Sequence, residues 1–158
     1  MKTVLLTTGA TNEKYIQHGI DHYLNRLKNY KPQIEYREIK IPSKTYKYKE
    51  ISDILEAEAQ YQLKQIETGD YLSLLDAQGK VYTSENFATK LEHMRTGTYK
   101  RWILMVGGPF GFSPSVYERA QEKVSLSAMT FTHQMVRLIL LEQFYRAQSI
   151  LNNQSYHH

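Results

Sequence analysis

The chain predicts an α/β domain: a mainly parallel sheet sandwiched between helices in three layers. Three observations carry that expectation. Short apolar runs alternate with longer amphipathic segments in the order β-α-β-α-β-α-β-α-β-α over the 158 residues. The run Ile103 to Val106 is apolar on both side-chain faces, as in a strand covered on both sides. Strands end in glycine, at Gly9 and again at Gly107-Gly108-Pro109-Phe110-Gly111, where an open α/β sheet places its ligand loops. The length suits one domain, residues 1–158, and no repeat, low-complexity tract or linker divides it.

The elements follow in order. Lys2 to Gly9 reads as the first strand, and Asn12 is placed to cap the helix after it. In that helix Tyr15, Ile16, Ile20, Tyr23, Leu24 and Leu27 recur at three- and four-residue spacing, until Lys31-Pro32 ends it. Ile34, Tyr36 and Glu38 alternate with charged or polar neighbours into Ile39 and Ile41, the pattern of an edge strand. A lysine- and tyrosine-rich loop leads into a helix from Lys49 to Ile66, whose acids Glu50, Asp53, Glu56 and Glu58 suit its N-terminal dipole. Tyr71 to Leu75 is a buried strand, with Asp76 to Lys80 as the loop at its carboxyl end. Ser84 and Glu85 open a helix that stops at Thr96-Gly97. After the strand Ile103 to Val106 and its glycine loop, Ser113-Pro114 pairs an N-cap with proline at the first helical position. A short strand, Val124 to Leu126, and an irregular connector, Ser127 to Thr132, precede the last helix, His133 to about Asn152. That helix is apolar over most of its circumference, which predicts burial against the core and against a partner subunit.

Composition narrows the chemistry. With no cysteine, disulfides and thiolate metal sites are excluded. The N-terminal apolar run Val4-Leu5-Leu6 is too short for a signal peptide, and nothing approaches a membrane span, so the expectation is a cytoplasmic protein without a membrane partner. Net charge is +4, and it is uneven: residues 1–50 hold ten Lys/Arg against five Asp/Glu, whereas residues 51–158 hold ten against eleven. The excess of cations in the first third suits an anionic partner. Within it, Lys44, Lys47 and Lys49 interleave with Tyr46 and Tyr48. Lysines neutralise phosphates and tyrosine faces stack on bases, although a solvated lysine-rich loop has the same composition.

The common motifs are absent. No Gly-Lys-Ser/Thr follows the glycine loop, so it is no P-loop, and it lacks the Gly-x-Gly spacing of a dinucleotide fold. A Rossmann-type oxidoreductase is accordingly disfavoured. No Gly-x-Ser-x-Gly supports serine chemistry. His18 and His22 share a helix face without a third ligand, so no metal is expected. His133 and Arg137 lie one helical turn apart at the start of the last helix, where both can face one site.

These residues together resemble the bacterial ribosomal RNA large-subunit methyltransferase H family, of the SPOUT class. The matching stretches are Val106-Gly107-Gly108-Pro109-x-Gly111-x-Ser113, then Ser125 to Phe131 with His133, Gln134, Val136 and Arg137. Glu142-Gln143-x-Tyr145-Arg146-Ala147-x-Ser149-Ile150 and Asn153-x-x-Tyr156-His157 complete them, and the likeness spans the whole length. The resemblance implies a C-terminal trefoil knot, a homodimer, and S-adenosylmethionine as methyl donor. It implies methylation of ring N3 of a pseudouridine in 23S rRNA on the assembled ribosome. Carried across, the cofactor site comprises Leu75, Gly107, Leu126, Ser127, Ala128, Met129, Thr130 and Phe131. His133, Arg137, Tyr156 and His157 match positions on the target-base side, with Arg137 binding phosphate or carbonyl and the terminal pair, supplied by a partner subunit, positioning the base. Two departures stand out: the family often has glutamate where this chain has Phe110, and the chain ends in His158 where a further Arg or Lys is usual. Both are features that a non-catalytic RNA- or ribosome-binding protein of the same fold would tolerate.

Overall fold

The computed structural model describes residues 1–158. Five strands, β1 (Lys2–Thr8), β2 (Ile34–Ile39), β3 (Asp70–Val81), β4 (Arg101–Val106) and β5 (Glu122–Ser125), form one sheet in the order β2-β1-β4-β3-β5. Every neighbouring pair is parallel. Because successive side chains in a strand point to opposite faces, the apolar strands feed two cores at once. Leu5, Trp102, Leu104 and Val106 face helices α1 (Lys14–Leu27), α3 (Ser84–Thr96) and α5 (Met135–Leu151). Val4, Leu6, Leu72, Leu74, Ile103 and Met105 face the side covered by α2 (Ile51–Leu63) and α4 (Pro114–Arg119). The three-layer architecture and the parallel sheet are as the alternation predicted, and β2 is an edge strand as its polar alternation required.

Three local expectations are revised. Asn12 does not cap α1: Glu13 occupies the cap position without a side-chain bond, and the Asn12 backbone N–H instead donates to Gln134 Oε1 at 2.9 Å. Residues 76–80 are not a terminal loop but a bulge inside β3, whose register on β5 slips between Leu75 and Lys80. Gly79 makes that bulge possible, since a Cβ there would lie 2.5 Å from the Lys123 carbonyl carbon. Glu58, read as a dipole-facing helix acid, is fully buried. The Ser113 cap forms as expected, its hydroxyl accepting from Val116 N–H at 3.4 Å.

At the amino ends of the strands Asp70 and Arg101 tie β3 to β4. The Asp70 side chain is buried and accepts from Arg101 Nε at 2.9 Å, from Arg101 Nη2, and from the Glu67 amide at 2.7 Å. Burial alone would raise the Asp70 pKa. The Arg101 fork, the Glu67 amide and the charges of Arg101 and Arg119 outweigh it, so the net shift is downward. A depressed carboxylate pKa gives stability that is present above its unfolded value, near 4, and is lost as pH falls through the folded value. Asp70→Ala is therefore expected to cost roughly 3 kcal/mol at pH 7, because it strands a half-buried guanidinium. In urea melts the gap to the wild type should narrow as pH falls below about 4. A gap independent of pH would place the loss in packing rather than in the ion pair.

Candidate functional site

The carboxyl ends of the strands converge on two adjoining pockets. The first, about 480 Å³, lies over β3, β4 and β5, a size that suits a small-molecule cofactor. Its walls are apolar at Leu75, Val106, Leu126, Phe131 and Val136, and its rim carries Gly107, Gly108 and Pro109 of the glycine loop. The second lies over β1 and β2, between Thr8, Gly9, Glu38, Ile39, Tyr46 and Gln134. Pro109 and His133 line both, so the two chambers share a wall. The shared wall stands where β1 and β4 adjoin in the sheet, the place at which an open α/β sheet gathers its ligands.

The glycine loop is shaped by its own backbone. Gly108 and Gly111 pair across a tight turn with Gly111 at φ +89°, a conformation glycine adopts without strain. A Cβ on Gly107 would sit 2.9 Å from the Gly111 carbonyl oxygen and 3.2 Å from Phe112. On Gly108 it would meet Glu58 Oε2 at 2.5 Å. The loop therefore needs both glycines to fold back on itself and onto α2. Phe110 projects outward, 46% exposed, and lines neither pocket, so a carboxylate at that position would stand at the loop's outer edge.

Of the residues the sequence marked for a cofactor, Leu75, Gly107, Leu126, Ser127, Met129, Thr130 and Phe131 line the first pocket. Ala128 is exposed on the same connector and does not. Segment 126–131 has no regular structure, so its peptide groups are not consumed by a ladder. An apolar cavity of this size, edged by glycines and by a connector outside any ladder, suits an adenosyl group.

His133 stands on the shared wall. Its pKa is lowered, first by burial and then by the charge of Arg137, which keeps the imidazole neutral at pH 7. Arg137 is placed differently from the sequence expectation of a ligand-facing cation. It is completely buried: Nη2 donates to the Thr8 carbonyl at 3.0 Å, and Nη1 to the Gly9 carbonyl and to Thr11 Oγ1, each at 3.0 Å. Nε reaches the His133 carbonyl at 3.3 Å, and Glu38 Oε2 lies 3.6 Å away. The guanidinium thus pins the end of β1 to the start of α5.

Tyr156 and His157 are not brought to these pockets within one chain. The Tyr156 hydroxyl bonds Glu142 and Tyr23, and His157 Nε2 lies 2.9 Å from Glu85. His158 is exposed beyond them. Lys44, Lys47 and Lys49 are exposed on and just after the 3-10 turn Ser43–Lys47, next to the second pocket that Tyr46 lines. His18 and His22 lie exposed on α1, and no group of His, Asp and Glu side chains converges on a common metal position. No helix is long and apolar enough to cross a membrane.

Sequence reasoning missed Glu58 and Gln62 beneath the site, and it read Tyr46 only as a stacking surface of the lysine loop and Gln134 only as part of a matching stretch. One signal was present: Ile54, Glu58 and Gln62 fall at four-residue spacing, which puts both polar residues on the buried face of α2. Gln62 Nε2 donates to Thr8 Oγ1 at 2.8 Å, and that hydroxyl donates to the Val106 carbonyl at 2.9 Å, joining α2, β1 and β4 beneath the pockets.

The chain has relatives among known proteins. A family model described as a predicted SPOUT methyltransferase matches residues 1–157. The chain is 46% identical over 160 residues to a Parabacteroides distasonis protein named ribosomal RNA large subunit methyltransferase H, covering 100% of this chain and 99% of that one. A Cytophaga hutchinsonii protein of the same name is 42% identical over 159 residues, with 100% of both chains covered. Among solved structures, the A. aeolicus TrmH/SpoU tRNA modifying enzyme aligns with a TM-score of 0.52 at 11% identity, over 96% of this chain and 77% of that one, a likeness of fold.

Proposed function

The chain belongs to the SPOUT methyltransferase family and groups with the ribosomal RNA large subunit methyltransferases H, and from that premise we propose that it methylates ring N3 of a pseudouridine in 23S rRNA on the cytoplasmic ribosome. The observation that carries the reading is the pair of pockets sharing the Pro109–His133 wall, one suited to a cofactor and one open to a base. Methyl transfer needs the donor and the ring nitrogen held in line at contact distance.

Leu75, Gly107, Leu126, Ser127, Met129, Thr130 and Phe131 would hold S-adenosylmethionine, which when bound supplies an electrophilic methyl group on a sulfonium. The apolar walls Leu75, Leu126 and Phe131 exclude water from the adenine, and the connector's peptide groups read its edge. His133, neutral and on the shared wall, orients the target base by hydrogen bonding to its ring edge. Arg137 acts indirectly, fixing Thr8 and Gly9 as the floor of the base pocket.

The protein works as a homodimer in this reading. Leu138, Ile139, Ile150 and Leu151 on α5 are half-buried in a single chain, an apolar surface that a second subunit would cover. The partner then supplies Tyr156 and His157 to the target base. The threaded C-terminal segment of a trefoil knot is part of the same proposal.

The direct test is isothermal titration with S-adenosylmethionine, followed by methyl transfer to ribosomes from a strain lacking the modification. Mass spectrometry of that strain's 23S rRNA should show one methyl group fewer. Absence of cofactor binding would remove the reading. The lysines make a second prediction. Replacing Lys44, Lys47 and Lys49 together by glutamine should reduce the slope of log affinity for ribosomes against log salt by about 2–3, with cofactor affinity unchanged. An unaltered slope would mean that these side chains are merely solvated.

A further inference from the structure

Methylating a ring N–H releases a proton, and none of the residues assigned above accepts it. Below the glycine loop lies a group suited to do so. Glu58 is fully buried, whereas Glu50, Asp53 and Glu56 beside it are exposed. Its Oε2 accepts from the Tyr46 hydroxyl at 2.8 Å, its Oε1 has no partner, and no cation pairs with it. Tyr46 belongs to the 3-10 turn after β2, is 42% exposed, and lines the base pocket. The Glu58 carboxyl in turn lies against Gly108, which lines the cofactor pocket. The Tyr46 hydroxyl therefore stands beneath the loop that separates the two chambers, between the base pocket and a buried carboxyl. A purely structural tie to Tyr46 needs only a neutral acceptor such as an amide, without the cost of burying a charge. A carboxyl brings proton affinity as well.

Resting on the methyltransferase reading above, we propose that Tyr46 and Glu58 form the proton relay of the transfer, with Tyr46 touching the target base and Glu58 acting through it. The ring N–H bond breaks and its proton passes to the Tyr46 oxygen, while Tyr46 gives its own proton to Glu58 Oε2. The electron pair left on nitrogen forms the new N–CH3 bond as the S–CH3 bond breaks, and that bond's pair stays on sulfur. Sulfonium and carboxylate charges vanish together, and Glu58 later releases the proton to solvent.

Electrostatics suit these roles. Burial raises the Glu58 pKa, which makes its carboxylate a stronger base than a solvated glutamate. The Tyr46 pKa is raised too, by burial first and then by its bond to Glu58, so Tyr46 stays a phenol and passes a proton on rather than holding a charge. The other groups around the pair are Arg137 from α5, itself engaged by backbone carbonyls and facing Glu38 of β2, exposed Lys40 just after β2 on the wall of the base pocket, neutral His133 from the connector, and uncharged Gln62 from α2.

Tyr46→Phe and Glu58→Gln test the relay in the full-length protein, with S-adenosylmethionine and undermethylated ribosomes. Glutamine keeps an acceptor for the Tyr46 hydroxyl but takes no proton. Each variant should lose about 100-fold or more in kcat at pH 7, the usual scale for a removed acid–base group. KM for ribosomes and calorimetric affinity for S-adenosylmethionine should hold, and the deficit should shrink as pH rises and hydroxide removes the proton instead. Independently of turnover, the Glu58 carboxyl carbon followed by NMR in the wild-type protein should titrate above the ordinary glutamate range. Wild-type kcat with a wild-type pH profile in either variant, or an ordinary Glu58 titration, overturns the relay while leaving the methyltransferase reading intact. Failure of the unmodified protein to bind cofactor and transfer methyl overturns both.

Discussion

Replacing Arg137 with methionine is expected to lower stability by about 3–5 kcal/mol, the range for breaking a buried charged network. For a chain of this length that corresponds to a fall in Tm of roughly 8–15 °C. The guanidinium is the common donor to the Thr8 and Gly9 carbonyls and to Thr11 Oγ1 at the end of β1, where Gly9 otherwise keeps only a long bond from Thr7 Oγ1, at 3.4 Å, and Thr11 its bond with the Tyr36 hydroxyl. Methionine fills much of the volume but removes the charged donor that these groups share. Amide exchange at residues 9–12 should accelerate before the rest of the sheet melts, because that segment would lose its tie to α5. A variant as stable as the wild type that binds ribosomes poorly would return Arg137 to the role of an exposed phosphate contact. Lysine is not expected to rescue, since one ammonium cannot span acceptors that the planar fork reaches together.

The second large effect is at the glycine loop. Gly107→Val should weaken S-adenosylmethionine binding by at least about 100-fold, close to 3 kcal/mol in titration calorimetry. A ligand clash is only part of the reason. The new Cβ would meet the Gly111 carbonyl oxygen at 2.9 Å and Phe112 at 3.2 Å, so the loop must open before any larger side chain fits. Opening it moves Gly108 and Pro109, which border the cofactor pocket. The sheet beneath, with Val106 and its neighbours buried on both faces, should keep its far-UV spectrum and most of its melting temperature. Cofactor affinity that survives the substitution would mean that the cofactor does not lie against this loop. Asp70→Ala supplies the contrast: it lowers stability at the opposite end of the sheet and should leave cofactor affinity alone.

Local chemistry made much of this molecule legible before its fold was known. Continuous apolar runs placed the central strands, alternation placed β2, three- and four-residue spacing placed α1, and cap and stop residues placed α3 and α4, because burial and capping both follow the geometry of the backbone. The Ser113-Pro114 cap, the Thr96-Gly97 stop and the edge character of β2 follow from single residues whose preferences act over a few bonds. Seven of the eight positions marked for the cofactor line one cavity, since they lie at the carboxyl ends of three strands, β3, β4 and β5, that the parallel sheet carries to the same end. The wall shared by the two pockets was legible only in part, through His133.

What the tertiary structure alone decided concerns polar groups whose partners are distant in the chain. Arg137 meets Thr8 and Gly9 across 129 and 128 positions, and nothing local distinguishes a buried structural guanidinium from a ligand-facing one. Asn12 gives up its capping role because Gln134, 122 positions away, offers its backbone a partner. Glu58 reads as one more acid on an amphipathic helix until α2 packs beneath Gly108 and the Tyr46 hydroxyl closes over it. Apolar burial is non-directional and averages over many residues, so composition and period foretell it. Each hydrogen bond in an interior depends on one donor meeting one acceptor, and only the folded chain determines which two meet.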